Sequence, residues 1–488
     1  MMIQNKYDVI IIGAGLAGIA CAIRLRKKGK TVLVIEKNET FGGKLGELRW
    51  KEYRWDKGPS LFTEPNLIEE LFELCDKSTS DYFQYEQQDK SCSYYFSDLE
   101  NLTLYHEHKK LDQELRKVVG KNDQKAYYKY IQSSKELYDL TGDFFISNPI
   151  PKATDLFRPS ILKRYPALLK RQIRNSLHQH NARVFEDDKL VQLFDRFGTY
   201  NGSNPNKMSG LYSMVSHLEL DNGTYAPTKG MRSIVESLYN ISIEIGVEYA
   251  FNETVIATQK NGNFTLDGLQ KYYGKALVCA IDHTQFYEKV FKDQRFEKKY
   301  KKRERSTSGL ILYWAVNTTI HQMGLHNLFF GQDYQEESEA IWNKKENYSN
   351  PSIYINISAK VTPTDAPQHC ENWFIMINTP AGVPSTKEYR ELIKLRTIKR
   401  IADNFGVDIS DNIQHSDYWD STGIEQDTGS FKGAIYGESS NHISSALKRH
   451  KNKSSKFDNL YFCGGTVHPG GGIPLVLRSA KIVAQYFK

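Results

Sequence analysis

No two of the six cysteines form a CxxC pair; Cys21, Cys75, Cys92, Cys279, Cys370 and Cys463 are scattered along the chain. That excludes a zinc ribbon or a disulfide framework and points to reduced thiols. Long apolar runs are also missing: none approaches the roughly 18 residues that a spanning helix needs. The N-terminus enters an apolar stretch within a few residues, which leaves no room for a signal peptide and predicts a cytoplasmic chain whose membrane contact is peripheral. There is no fixed-period repeat and no low-complexity linker. A net charge of +7 over 488 residues is too small a surplus for nucleic-acid binding as the main task, although it suits an anionic membrane surface.

What is present is a folded composition, 40% hydrophobic and 25% charged with 30 tyrosines and 24 phenylalanines. The length predicts two domains with aromatic-lined interiors. Residues 7–43, YDVIIIGAGLAGIACAIRLRKKGKTVLVIEKNETFGG, read as strand, turn, helix and strand. A buried parallel strand over 9–12 turns through Gly13, Gly15 and Gly18. The first glycine permits the tight turn, the second lets the backbone approach a pyrophosphate, and the third lets the helix pack on the strand. Free N–H groups and the positive dipole end at the helix N-terminus then face the phosphates, with Ala14 and Ala17 in the same turn. A second strand over 31–35 delivers Glu36, followed by Lys37, to the ribose hydroxyls; its carboxylate would repel the 2′-phosphate of NADP. The reading is a dinucleotide site.

Signals of the same domain recur twice. A helix over 231–239, a segment over 247–255 ending at Val255, and a buried strand over 276–280 precede Asp282, which is predicted to cap a helix near the cofactor. A strand over 459–463 then runs into GGTVHPGGGIPLVLRSAKIVAQYF and an amphipathic helix. The predicted organisation is therefore α/β, with a discontinuous Rossmann-like nucleotide domain (1–75, 225–300 and 440–488) and an inserted α+β substrate domain (76–224 and 301–439).

The pair Gly42-Gly43 with Lys44 and Leu45 resembles the second glycine-rich turn of the flavin-dependent amine oxidase and desaturase group, which covers the FAD diphosphate. Further blocks extend the resemblance: RWDKGPSLFT at 54–63, containing Gly58, Pro59 and Ser60; the run over 201–231, with Lys229 where a glycine is usual; HNLFFGQDY at 326–334; and PSIYINISAKVTPTDAP at 351–367. Together they resemble the bacterial phytoene desaturase family. The terminal GGTVHPGGG at 464–472, with valine before histidine, is similar to the hydroxycarotenoid 3,4-desaturases.

That resemblance implies non-covalent FAD, a carotenoid substrate, and hydride transfer from an allylic carbon to flavin N5, with oxygen or a quinone as final acceptor. It also implies flavin contacts at Gly464, Gly465, Gly472, Ile473, Pro474 and Val476, with free N–H groups near Pro474, Leu475 and Val476 facing the flavin edge that gains negative charge. His468 reads better as a loop-fixing hydrogen bonder than as a base. No side chain declares itself as the base. His217 and Glu219 lie in a strand-like run, and His106 and His108 read as solvated surface.

The segment 151–180 carries Lys152, Arg158, Lys163, Arg164, Lys170, Arg171 and Arg174 against one acid, Asp155, with Leu162, Tyr165, Leu168, Leu169, Ile173 and Leu177 between them. It predicts an interfacial helix on anionic lipid at the inner face of the cell membrane, drawing an insoluble substrate from the bilayer. A phytoene desaturase, a carotenoid isomerase, a flavin amine oxidase and a non-catalytic isoprenoid escort are the competing readings.

Overall fold

A computed structural model of the chain describes residues 5–151, 163, 175–442 and 445–488. Of the basic amphipathic helix predicted over 151–180, residues 152–162 and 164–174 lie outside the described residues.

Two seven-stranded sheets organise the described chain. In the first, the strands run in the order Ile256–Lys260, Asn263–Asp267, Lys271–Cys279, Lys6–Ile12, Val32–Ile35 and Glu248–Ala250, with Leu460–Phe462 paired to Lys271–Cys279. Lys6–Ile12 is parallel to both neighbours. Val32–Ile35 is buried at every position, as expected of a strand covered on both faces. Val9, Ile11, Val32 and Val34 pack with Ile19, Ile23, Leu477 and Ala480 on one side; Ile10, Ile12, Leu33 and Ile35 pack with Phe286 and Phe462 on the other. The segment read as 247–255 is a strand only at Glu248–Ala250.

The second sheet has the order Ile413–Trp419, Ser308–Val316, Glu371–Thr379, Ile353–Ile357, His326–Phe329, Lys90–Tyr95 and Asn101–Tyr105. Its strands come from both long insertions. Alternation divides its faces: Leu310, Leu312, Ile375 and Ile377 pack under Tyr389, Ile393 and Ile401 of the helix Lys387–Phe405, while Ile311, Met376 and Tyr354 face the opposite way, into a cavity.

His217 and Glu219 are not on a strand; they belong to the helix Val215–Leu220. A short apolar run with interspersed polar residues has no periodicity long enough to separate the two states. His106 is half-buried and not solvated, because its Nε2 accepts from the Thr224 N–H at 3.1 Å; His108 is exposed. All six cysteines are free thiols. Among the described residues no helix is long and apolar enough to cross a membrane, and no group of metal-ligating side chains occurs.

Candidate active site

The chain leaves its first strand through Gly13 at φ +106°, where a Cβ would meet Ile281 Cγ2 at 2.8 Å. The helix Leu16–Lys27 starts at once, with Gly15 as its N-cap and no acid in its first turn. Ile19 donates to the Gly15 carbonyl at 3.1 Å, so the N–H groups of Leu16, Ala17 and Gly18 precede the first intrahelical bond and leave a positive helix end open. Gly15 bridges Gly42 in parallel register. The Gly42 N–H donates to the Ala14 carbonyl at 2.9 Å, and φ values of +120° and +57° at Gly42 and Gly43 are left-handed conformations that favour glycine. Glu36 is buried at the end of the second strand and accepts from the N–H groups of Ala14 at 2.8 Å and Asn38 at 3.0 Å.

Lys44 follows this turn. Its ammonium donates to the Ile435 carbonyl, and burial pulls its pKa down to about 8 against the upward pull of Asp282. A Cβ on Gly58 would lie 2.1 Å from the Lys44 carbonyl oxygen, so the turn through Pro59 and Ser60 rests directly on the Lys44 backbone. Asp282 caps the short helix that follows it through the Thr284 N–H at 2.8 Å. Burial pushes its carboxyl upward, but Arg305 and His283 hold it below the ordinary range. At the C-terminus Gly472 (φ +99°) starts the helix Ile473–Gln485. One expectation fails here: Pro474 has no N–H, and the Val476 N–H donates to the Gly472 carbonyl at 2.9 Å. The first-turn donors are those of Ile473 and Leu475.

These segments enclose one cavity of about 970 Å³. All the residues predicted for the cofactor line it except two. Ala14 is buried behind the turn and acts through its backbone on Glu36 and Gly42. Gly18 packs on the strand: its Cβ would stand 2.0 Å from the Gly13 carbonyl. The open helix end, the opposed glycine turns and the buried acid after the second strand together fit a flavin dinucleotide.

The cavity continues past this cradle along the second sheet. Trp419, Ile311, Met376, Tyr354 and Leu328 stand in one register line across five strands, and all of them line it. Four strand spacings give a floor of roughly 19 Å. Phe145, Leu211, Met214, Val215 and Leu218 form part of the remaining apolar wall. His468 is not on the wall; its Nε2 donates to the Asn148 carbonyl at 2.9 Å, and burial lowers its pKa to about 4. That is the geometry of a loop clamp.

Sequence reasoning named Glu219 and Ser60 but missed the buried polar groups that they join on the same wall. Arg196 donates to the Tyr94 hydroxyl at 2.8 Å and lies 4.8 Å from the Tyr200 ring centroid. Glu219 accepts from Ser91 at 2.7 Å and from Tyr200. The Tyr354 hydroxyl bonds Ser60 Oγ at 2.9 Å and His326 Nδ1 at 2.6 Å. No motif could have linked these residues, because their partners are 19 to 294 positions apart in the chain.

A profile of flavin-containing amine oxidoreductases matches residues 16–486. The chain is 39% identical to a 1-hydroxycarotenoid 3,4-desaturase of Flavobacterium sp. (strain P99-3) over 98% of each chain, and 28% identical to a 4,4′-diapolycopene oxygenase of Methylomonas sp, again over 98% of each. Among solved structures it is similar to a double mutant of putrescine oxidase (TM-score 0.65, 13% identity, 99% of this chain and 98% of that one). It is also similar to cyclohexylamine oxidase from Brevibacterium oxydans IH-35A (TM-score 0.64, 16% identity, 98% of each). The glycine-rich cradle, the shared fold and a family match over nearly the whole length converge: the chain belongs to the flavin-containing amine oxidoreductase family.

Proposed function

We propose that this chain is an FAD-dependent carotenoid desaturase that introduces the 3,4 double bond of a 1′-hydroxycarotenoid. The observation that carries the reading is the single cavity joining the dinucleotide cradle to a long apolar floor, a shape suited to an extended hydrocarbon. The desaturase named among its relatives supports the same substrate class.

Bound in the cradle, the flavin supplies a two-electron acceptor for hydride lost from a carbon beside the polyene. The chain's own residues bind and orient. Gly13, Gly15, Gly42 and Gly43 bring backbone to the diphosphate, Glu36 takes the ribose, and the Ile473 and Leu475 N–H groups offer the positive end of the terminal helix to the flavin ring. The apolar wall excludes water and holds the reacting bond in one place. In this reading 1–75, 225–300 and 440–488 form the cofactor domain, with substrate held by the two insertions. The basic segment 151–180 meets anionic lipid at the inner membrane face, and oxygen or a quinone removes the electrons.

Product analysis tests the proposal. Purified FAD-loaded protein in liposomes is incubated with phytoene or with a 1′-hydroxylated carotenoid that has a saturated C3–C4 bond, and products are read by chromatography and absorption. The expected result is a red shift of the hydroxylated substrate in preference to phytoene. Efficient conversion of phytoene with no change in the hydroxylated substrate moves the chain to the phytoene branch.

A further inference from the structure

Desaturation releases a proton as well as a hydride, and an apolar tunnel offers few places for a proton to go. Of the carboxylates on the cavity wall, Glu36, Glu253, Asp282, Glu425 and Asp427 lie in or against the dinucleotide cradle, the last two bonded to Gln285 and Lys57. Glu219 alone stands on the apolar side. Ser91 donates to its Oε1 at 2.7 Å from the strand Lys90–Tyr95, which pairs with the strand of Leu328. The carboxylate therefore closes the end of the floor opposite Trp419.

Its second oxygen, Oε2, accepts from the Tyr200 hydroxyl. Glu219 itself is only 2% exposed, whereas Tyr200 is half-buried and lines the cavity, so the phenol offers the open surface and the acid sits behind it. Arg196, in the same wall with its guanidinium 4.8 Å from the Tyr200 ring centroid, supplies a countercharge for a carboxylate out of water. The charges of Arg196 and Glu219 both act on Tyr354, whose hydroxyl bonds Ser60 in the turn resting on Lys44. The acid and its phenol thus adjoin the junction of cradle and tunnel.

Neighbouring groups suit the task less well. Burial lowers the pKa of His326, the one histidine among the described lining residues, to about 3, which leaves a weak base near neutrality. Burial pushes the Cys92 thiol up to about 12, so it holds its own proton. A phenol bonded to a carboxylate differs from both: its oxygen can accept a proton while its own O–H proton moves on.

We propose that Tyr200 and Glu219 form the proton acceptor of the desaturation. As hydride leaves one carbon for the flavin, the C–H bond of the neighbouring carbon breaks and its electron pair becomes the new π bond. That proton goes to Tyr200 Oη, and the former Tyr200 proton goes to Glu219 Oε2. Oxygen or a quinone then receives the two electrons with two protons, one of them from Glu219. This rests on the desaturase reading and gives it a catalytic residue, Tyr200, with Glu219 behind it.

The test follows turnover by the full-length, FAD-loaded protein in liposomes, with the hydroxylated carotenoid unlabelled or carrying deuterium at C3, which loses the proton, or at C4, which loses the hydride. Glu219→Gln and Tyr200→Phe should each lower kcat by about a hundredfold, with flavin occupancy and the carotenoid affinity read from its absorption shift left unchanged. Deuterium at C3 should slow both variants more than it slows wild type, because proton removal now limits the rate. Either variant, folded and flavin-loaded, turning over within about threefold of wild type overturns the assignment; so does a fall in kcat with no added isotope effect at C3, the mark of a packing role. A wild-type protein that binds carotenoids and desaturates none sinks the desaturase reading itself.

Discussion

Gly15 and Gly43 face each other so closely that a Cβ on Gly43 would come within 3.3 Å of the Gly15 Cα, whereas a Cβ on Gly15 would reach only 3.9 Å from the Gly43 Cα. The first is crowding and the second is ordinary contact. A side chain at Gly15 therefore leaves the fold intact while filling the space where the diphosphate approaches the backbone.

Gly15→Val is expected to purify as a folded protein with a melting temperature near that of flavin-stripped wild type, and to carry no FAD. Gly18→Val should behave differently, because its Cβ would meet the Gly13 carbonyl at 2.0 Å, and should not yield soluble protein. Flavin released on denaturation, measured beside circular dichroism, separates the two. Normal flavin occupancy in Gly15→Val removes the cradle assignment.

Lys44 makes the stability of the flavin-stripped protein depend on pH. Its folded pKa, about 8, lies below the ordinary 10.5, so between these values the unfolded chain binds more protons and stability rises with pH. The full effect is roughly 3 kcal/mol. Lys44→Met should therefore flatten the stability curve between pH 8 and 10.5 and raise stability at pH 7, less the lost bond to Ile435. Urea unfolding of both proteins across that range gives the difference curve; parallel curves would contradict the burial argument.

Glu64 and Arg478 form a two-pronged pair, Nη1 to Oε2 at 2.9 Å and Nη2 to Oε1 at 2.6 Å, joined by the Tyr138 hydroxyl. It ties the segment after Ser60 to the terminal helix, and both residues are buried. Arg478→Met alone should cost about 3–5 kcal/mol by stranding a buried carboxylate. Adding Glu64→Gln should recover part of that loss. Denaturant unfolding of the single and double variants measures the coupling, and simple additivity would show that the pair is not coupled.

Charge reversal at Lys163, Arg164, Lys170 and Arg171 should weaken binding to anionic liposomes, and added salt should weaken wild-type binding in the same direction. Co-sedimentation insensitive to both moves the membrane contact to another part of the chain.

The nucleotide half was legible because its information is local. Gly13, Gly15, Gly18 and Glu36 fall within one strand–helix–strand unit, where backbone sterics and a fixed spacing leave few alternatives. Short stretches were less readable. His217 and Glu219 sit in a six-residue helix whose pattern is too brief for a period to show, and His106 is half-buried beside Thr224, 118 positions later.

By itself the sequence determined the cofactor class, the interrupted order of the nucleotide strands and the family resemblance, because each depends on residues close together in the chain. Only the tertiary structure decided what shares a wall. Trp419, Ile311, Met376, Tyr354 and Leu328 become one floor through strand register, and Ser60, Tyr354 and His326 become one hydrogen-bonded chain through packing between segments 28 to 294 positions apart. Register and burial are properties of the assembled sheets. No local spacing encodes them.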